Sequence, residues 1–295
     1  YLATLEYGDK LLKLDENFEI IDVSDTGQVP YGISFSKEKD LAYIALSRGK
    51  AIEIFDTNSM KSIGKIPAGN RCWHFSFTPD NKNFSIETFI RSSTEVGGDY
   101  YDFFAQEDGS FYSVCGDATG HGTTAGMMVS ITKAGLNGIP SLPPNEILNR
   151  LNKVVKRVDL GIIRMSLNVV HFKNGTASMA NAAMPPIYHY SAKSKKLKEI
   201  EIVNLPLGGL SNEEYELIEI KFHKGDLLIQ LSDGLPEAPN PSGDLIDYDR
   251  LFDCIEQNAM KSPKDVVESL VDLAENWLDG NINPDDITIV ATKKV

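Results

Sequence analysis

Three aspartates, Asp99, Asp102 and Asp117, fall within residues 95–126, EVGGDYYDFFAQEDGSFYSVCGDATGHGTTAG. Small residues lie close by, in Gly97-Gly98-Asp99 and in Gly116-Asp117-Ala118-Thr119-Gly120-His121-Gly122. A carboxylate that ends an apolar strand beside a glycine-rich turn is a perch for a hard cation, because such ions take oxygen ligands and glycine lets backbone approach closely. The same context recurs twice further on. Asp233 follows the apolar run 227–231 in Leu-Ser-Asp-Gly, and Asp285-Asp286 precede Ile287-Thr-Ile-Val290. If these strands adjoin, four carboxylates meet at one rim, a ligand set for one or two Mg²⁺ or Mn²⁺ ions. Two such ions about 3.5–4 Å apart hold a phosphoryl oxygen and turn bound water into hydroxide near neutral pH. Taken singly, each aspartate reads equally well as a turn residue; the repetition favours the cation site.

Rival chemistries find less support. Cys72, Cys115 and Cys254 are far apart and lack C-x-x-C spacing, which points to structural thiols in a reducing compartment. His74, His121, His171, His189 and His223 are scattered too, so a zinc site of the His/Cys type is unsupported. Cys115 falls inside a strand without the basic loop of a cysteine phosphatase. His121 is a candidate proton donor or supporting partner behind the ligands, with a loop-structuring role favoured. The net charge of −13 argues against nucleic acid or anionic membrane as the main partner. The sequence contains no apolar run of membrane-spanning length and no signal peptide. The expected location of the catalytic part is cytoplasmic, with membrane association of a longer parent protein left open. The start at Tyr1 reads as that of a fragment.

The elements that must position these residues begin near Phe84. Strands are expected over 84–91, 101–105 and 110–116, the last two joined through Asp108-Gly109. Helices follow at 123–136 and from Pro144, the first with Ala125, Met128, Val129, Thr132 and Leu136 on one stripe. Three hairpins come next: 166–172 with 176–182 about Asn174-Gly175, 187–191 with 197–203, and 216–222 with 226–231 about Lys224-Gly225. A late helix opens at Ser262-Pro263, with a serine N-cap and proline at the first helical position, and a strand over 287–292 ends the pattern. Hairpins with two central helices and one late helix imply an α+β domain over 84–295, two antiparallel sheets face to face with helices outside.

Residues 1–82 read differently. Leu5, Gly8 and Asp15 line up with Leu46, Gly49 and Asp56 at an offset of 41, and Gly27 and Phe35 with Gly69 and Phe77 at 42. Strands are expected at 32–36, 41–46, 51–55 and 62–66. Four short strands in about forty residues is the pattern of a propeller blade, and the segments at 30–35 and 75–80 resemble the YVTN-type β-propeller repeat. About two blades are present where a propeller needs roughly four to eight. Missing chain before Tyr1, a discontinuity near 78–83 and pairing with other strands all remain open. The rhythm stops at Asn81-Lys82-Asn83.

The ordered motifs Glu95-Val-Gly-Gly-Asp99-Tyr-Tyr-Asp102, Gly116-Asp117-Ala-Thr-Gly-His-Gly122, Asn181-Ala-Ala-Met-Pro-Pro186, Pro206-Leu-Gly208, Leu231-Ser-Asp-Gly234 and Pro284-Asp-Asp-Ile-Thr288 resemble those of the PPM-type metal-dependent serine/threonine phosphatases, in the SpoIIE-like bacterial branch. The resemblance implies a helix-flanked antiparallel β-sandwich and two Mn²⁺ or Mg²⁺ ions per site. Asp117 would bridge them, Asp99 and the Ala118 carbonyl would serve one, and Asp233 and Asp285 the other, with Asp286 a neighbouring candidate. Asp102 falls to a structural or supporting role. Relatives often carry glycine at Ala183, and the phosphate-binding arginine of eukaryotic members has no counterpart near Thr94, since Arg91 is out of register.

The activity so implied is hydrolysis of a phosphoprotein by metal-activated water without a phosphoenzyme. The implied substrate is a phosphorylated STAS-domain anti-sigma-factor antagonist, with the propeller-like part as sensor or docking surface. A catalytically silent scaffold or sensor is the alternative, and a small-molecule phosphoesterase a third reading. The helices at 123–138 and 144–158 are candidates for regulatory contacts and for a homodimer interface.

Overall fold

The computed structural model describes residues 1–35, 40–67, 84–106 and 108–295. The chain divides into two compact units, Tyr1–Phe77 and Thr78–Val295.

In the first unit, strands β1 (Leu2–Leu5), β2 (Lys10–Leu14) and β3 (Ile20–Asp25) form a three-stranded antiparallel sheet. Strands β4 (Pro30–Phe35), β5 (Leu41–Leu46), β6 (Ala51–Asp56) and β7 (Lys61–Pro67) form a four-stranded meander. The four strands expected of one blade are therefore present. Alternation along β6 buries Ala51, Glu53 and Phe55, and Ala51 and Phe55 join a small core with Leu11 and Ile44. The described residues form no closed propeller, because two sheets of four and three strands leave their edges open. The repeat positions Gly69 and Phe77, the segment 75–80, the boundary at 81–83, and Cys72 and His74 lie outside the described residues.

The second unit is two antiparallel sheets. One is built from β8 (Phe84–Arg91), β13 (Ile187–Ser191), β14 (Lys196–Ile200), β16 (Leu227–Leu231) and β17 (Ile287–Lys294) in the order β14-β13-β16-β17-β8. The other contains β9 (Asp99–Ala105), β10 (Phe111–Ala118), β11 (Met165–Lys173), β12 (Thr176–Ala182) and β15 (Ile218–Lys221) in the order β15-β12-β11-β10-β9. The expected hairpin about Lys224-Gly225 is corrected: β15 pairs with β12 and β16 with β13 and β17, so that turn carries the chain from one sheet to the other.

Helices α1 (Thr123–Gly138) and α2 (Pro144–Val158) cover the β10 sheet, burying Met128, Leu148 and Leu151 against Val114, Leu167 and Val169. Helices α3 (Asp247–Asn258) and α4 (Pro263–Leu278) cover the other through Leu251, Ile255, Val266 and Leu270. The order of layers is helix, sheet, sheet, helix. Sequence periodicity missed α3. It has no side-chain N-cap, and only Leu251 and Ile255 are buried among acidic and polar neighbours. By contrast α4 carries the expected cap: Ser262 Oγ accepts from Asp265 N, and the Asp265 carboxylate accepts from Ser262 N. Among the described residues no helix is long and apolar enough to cross a membrane.

Between the sheets the strands alternate by a period of two, and the facing residues grade in polarity along their length. At one end Phe84, Phe111, Phe172 and Phe222 stack and tilt against one another. Midway, Ser113 Oγ donates to Gln230 Oε1 at 2.6 Å and Gln230 Nε2 to Asn168 Oδ1 at 2.6 Å, all three fully buried. Beyond Cys115 the same face reaches Asp117.

The turn after β12 is stapled by Asn181, whose Nδ2 donates to Met184 O at 2.7 Å and whose Oδ1 accepts from Met184 N at 3.0 Å. Within it Ala183 has φ 62°, in the left-handed region where a Cβ is disfavoured. Ala183→Gly is expected to stabilise the chain by about 1 kcal/mol, read as a higher midpoint of chemical denaturation. An unchanged or lower midpoint would show that the turn carries no such strain.

Candidate active site

The rim beyond Cys115 gathers the acidic residues. Asp99 opens β9 and Asp117 is the last residue but one of β10, and the two are register partners across that strand pair. Asp99 is 9% exposed, and its Oδ2 accepts from Ser232 Oγ at 2.8 Å, a bond that reaches across to the other sheet. The same Ser232 hydroxyl accepts from Thr288 N at 2.9 Å. Asp233 is the next residue after Ser232, and Asp285-Asp286 lead into β17 alongside.

Glycines make the close approach possible. A Cβ on Gly98 would collide with the Ala118 carbonyl oxygen and stand 2.8 Å from Gly120 O and 3.3 Å from Asp117 Oδ1, so the space beside it is a cradle of oxygens. A Cβ on Gly234 would collide with Asp286 O and meet Asp285 Cβ at 3.3 Å, so only glycine brings the Asp233 turn against Asp285. Backbone bonds fasten the loops: Ala118 N donates to Gly98 O at 3.0 Å and Gly122 N to Val96 O at 2.8 Å.

Burial and mutual repulsion dominate the electrostatics. Burial, with the charges of Asp286 and Asp233 adding to it, raises Asp99 to about 7, against the pull of neighbouring hydroxyls. Burial with the charges of Asp99, Asp233 and Asp285 raises Asp117 to about 8. Burial with Asp285 and Glu237 raises Asp233 to about 6. Among the described residues none of these carboxylates has a lysine or arginine ion-pair partner. Nor do any three Asp, Glu, His or Cys side chains there already close to metal-binding distance. Like charges without a neutralising cation hold apart.

The remaining residues singled out in the sequence separate by geometry. Asp102 lies three positions from Asp99 and so faces the helices instead of the other sheet. Its Oδ2 accepts from Tyr100 Oη at 2.9 Å and pairs with Lys133 of α1 at 3.1 Å, a structural role away from the other aspartates. Asp286 is 3% exposed and saturated: Oδ1 accepts from Ser93 N at 2.6 Å and Ser93 Oγ at 3.0 Å, and Oδ2 from Gly98 N at 2.7 Å and Asp99 N at 3.3 Å. It clamps the loop before β9, whereas Asp285 is exposed. His121 is exposed on the loop into α1. Burial drives the Cys115 thiol well up, which leaves it inert.

Ser93 and Ser232 were not assigned roles from the sequence; the only available signal was that Ser232 precedes Asp233 in a strand-end motif. Arg164 was missed as well, because it lies in an irregular loop. Its backbone pairs with Thr119, through Thr119 N to Arg164 O at 3.0 Å and Arg164 N to Thr119 Oγ1 at 3.3 Å. Arg91 pairs with Glu275 of α4 at 3.6 Å instead of serving the site.

Comparison with known proteins agrees with this fold. The family described as stage II sporulation protein E (SpoIIE) matches residues 107–294. Phosphoserine phosphatase RsbU of Bacillus subtilis (strain 168) is 24% identical over 285 residues, covering 95% of this chain and 81% of that protein. The SiaA-PP2C domain of Pseudomonas aeruginosa superposes with a TM-score of 0.64 at 20% identity, covering 70% of this chain and 85% of that one. The catalytic domain of the serine/threonine phosphatase PstP, in complex with two manganese ions, superposes at 0.55 with 14% identity, over 72% of this chain and 99% of that one. At such identities the superpositions establish the fold. On the family match, the chain belongs to the SpoIIE family, the bacterial branch of the PPM-type serine/threonine phosphatases whose motifs it carries in order.

Proposed function

We propose that the chain hydrolyses phosphoserine or phosphothreonine on a protein at a centre of two Mn²⁺ or Mg²⁺ ions, held by Asp99, Asp117, the Ala118 carbonyl, Asp233 and Asp285. The observation that carries this reading is the set of acidic side chains at one rim, three of them buried enough to be pushed toward protonation, with no cationic side chain paired to them among the described residues. An all-oxygen donor set suits hard divalent ions, and the oxygen cradle beside Gly98 fits one. The two manganese ions of PstP support the number.

Bound there, the ions would offset charge on the phosphoryl oxygens and lower the pKa of water at the site. The chain's own residues do the positioning. Asp117 would help to hold the ions, since the charges of Asp99, Asp233 and Asp285 all act on it. Ser232 orients the Asp99 carboxylate, and Asp286 holds Gly98 and Asp99 in line through their amides. Cys115 is too deeply buried to act as a nucleophile, so attack by water without a phosphoenzyme is the consistent route. The substrate reading, a phosphorylated STAS-domain protein in bacterial partner switching, rests on the motifs and on the likeness to RsbU, a phosphoserine phosphatase.

The test is phosphate release from a phosphorylated STAS protein with and without Mn²⁺. Asp117→Asn is expected to lower kcat by about 10²-fold or more, while Asp102→Asn stays within about threefold of wild type because Asp102 faces the helices. Turnover independent of Mn²⁺ and indifferent to Asp117→Asn would sink the enzyme reading and leave the silent scaffold.

A pH dependence follows from the raised carboxylates. Acids whose folded pKa exceeds the unfolded value near 3.9 bind more protons when folded, so stability falls as pH rises between the two values. With Asp233 near 6, Asp99 near 7 and Asp117 near 8, the metal-free chain should lose thermal stability from pH 5 to pH 8. Mn²⁺ should raise Tm more at pH 8 than at pH 5. Scanning calorimetry with and without chelator checks this, and an equal Mn²⁺ shift at both values would contradict it.

A further inference from the structure

The β16–β17 ladder ends at the pair Leu231–Ile289, with one further bond from Ser232 N to Thr288 O at 3.0 Å. Asp233 and Asp285 lie beyond it, in a turn and a bend that the ladder no longer joins. Asn283 joins them instead. Its Nδ2 donates to Asp285 O at 2.9 Å and to Gly234 O at 2.8 Å. The first bond is the short-range kind common for asparagine in turns, but the second crosses to a segment 49 positions away. The Asp285 carboxylate in turn accepts from Asp286 N through Oδ1 at 2.8 Å. Within residues 279–285 only Asn283 is buried, at 5% exposure, and its neighbours on both sides are exposed. A carboxamide nitrogen has two donors, and both are used on these carbonyls. The Oδ1 atom is buried too and has no hydrogen-bond partner among the described residues. Buried polar atoms are nearly always bonded, so the two carbonyls, and not the needs of the amide oxygen, dictate how this side chain lies. Pro284 disfavours helical backbone at Asn283 and limits the conformations open to the staple.

We infer that Asn283 is a positioning residue for the phosphatase centre: it sets the separation of Asp233 from Asp285 and thereby the affinity for the ion they share. This rests on the phosphatase reading, in which those two aspartates serve one ion. Asp99 and Asp117 are held by other means, the pairing of β9 with β10 and the Ser232 hydroxyl. Loss of the staple therefore acts on one ion and spares the other. Partners that hold ligands in place tune a metal site without touching the metal.

Calorimetric titration of Mn²⁺ into the full chain tests this, with Asn283→Ala, Asn283→Leu and, as a control in the same loop, Asn281→Ala. Wild type is expected to bind two ions. Asn283→Ala should weaken one of them by about tenfold to 100-fold and leave the other within about threefold. Asn283→Leu fills the space without supplying donors and should behave as Asn283→Ala does, whereas Asn281→Ala should match wild type. Aryl phosphate turnover in Asn283→Ala should need about tenfold more Mn²⁺ for half-saturation and reach the wild-type kcat at saturation. In the metal-free chain, amide hydrogen exchange should quicken over 232–237 and 284–288 and stay unchanged over 97–105. Unchanged Mn²⁺ affinity, equal weakening of both ions, a lowered kcat at saturating Mn²⁺, or rescue by leucine overturns the positioning role. Should the wild type bind no Mn²⁺, the phosphatase reading fails. Exchange quickened at those two segments alone then upholds the staple between Asp233 and Asp285, and unchanged exchange overturns it.

Discussion

Repulsion between carboxylates at one rim of a β-sandwich is the constraint to which the rest of the second unit answers. Asp99 and Asp117 are register partners, and Asp286 and Asp233 approach them from the other sheet. Burial removes the water that would screen them. The surrounding structure therefore supplies hydroxyls and amides: Ser232 to Asp99, and Ser93, Gly98 and Asp99 amides to Asp286. A hydrogen bond to an ionised carboxylate is stronger than a neutral one, and these donors hold the loops at fixed distance even as the charges push apart. What they leave uncompensated is the demand for a cation.

The sheets place that demand at one end. Along the facing strands the residues between the sheets pass from the phenylalanine cluster through Ser113, Asn168 and Gln230 to Cys115 and Asp117. The apolar end drives the sheets together, and the buried polar bridge fixes their register, since a slip would strand its amides without partners. Only past this bridge does the sandwich open to acidic side chains. The outer helices bury the opposite faces, so Asp102, on the helix side of β9, is used to anchor α1 through Lys133.

That aspartates stand at strand ends and that two antiparallel sheets carry them was legible in the sequence, because strand ends marked by Asp and Gly recur in an apolar alternating frame. The elements that were missed had weak local signals. Helix α3 contributes two buried residues from an acidic stretch. The strands β15 and β16 are separated by a turn that looks like a hairpin, and only their pairing partners reveal the crossing between sheets. In the first unit the strand pattern of a single blade was readable, but a ring closes through contacts between blades, which no local period encodes.

Residue chemistry and order along the chain determined which carboxylates stand at strand ends, that glycine flanks them, and that the family motifs run in sequence. Tertiary structure decided among them. Asp285 and Asp286 are indistinguishable as neighbours in sequence, yet one is exposed and the other is enclosed by four hydrogen-bond donors from a loop nearly two hundred residues away. Asp99 and Asp102 differ by an odd number of positions, and alternation sends them to opposite faces of one sheet. The reason is physical: a side chain's role depends on what desolvates it and what bonds to it, and both come from segments distant along the chain.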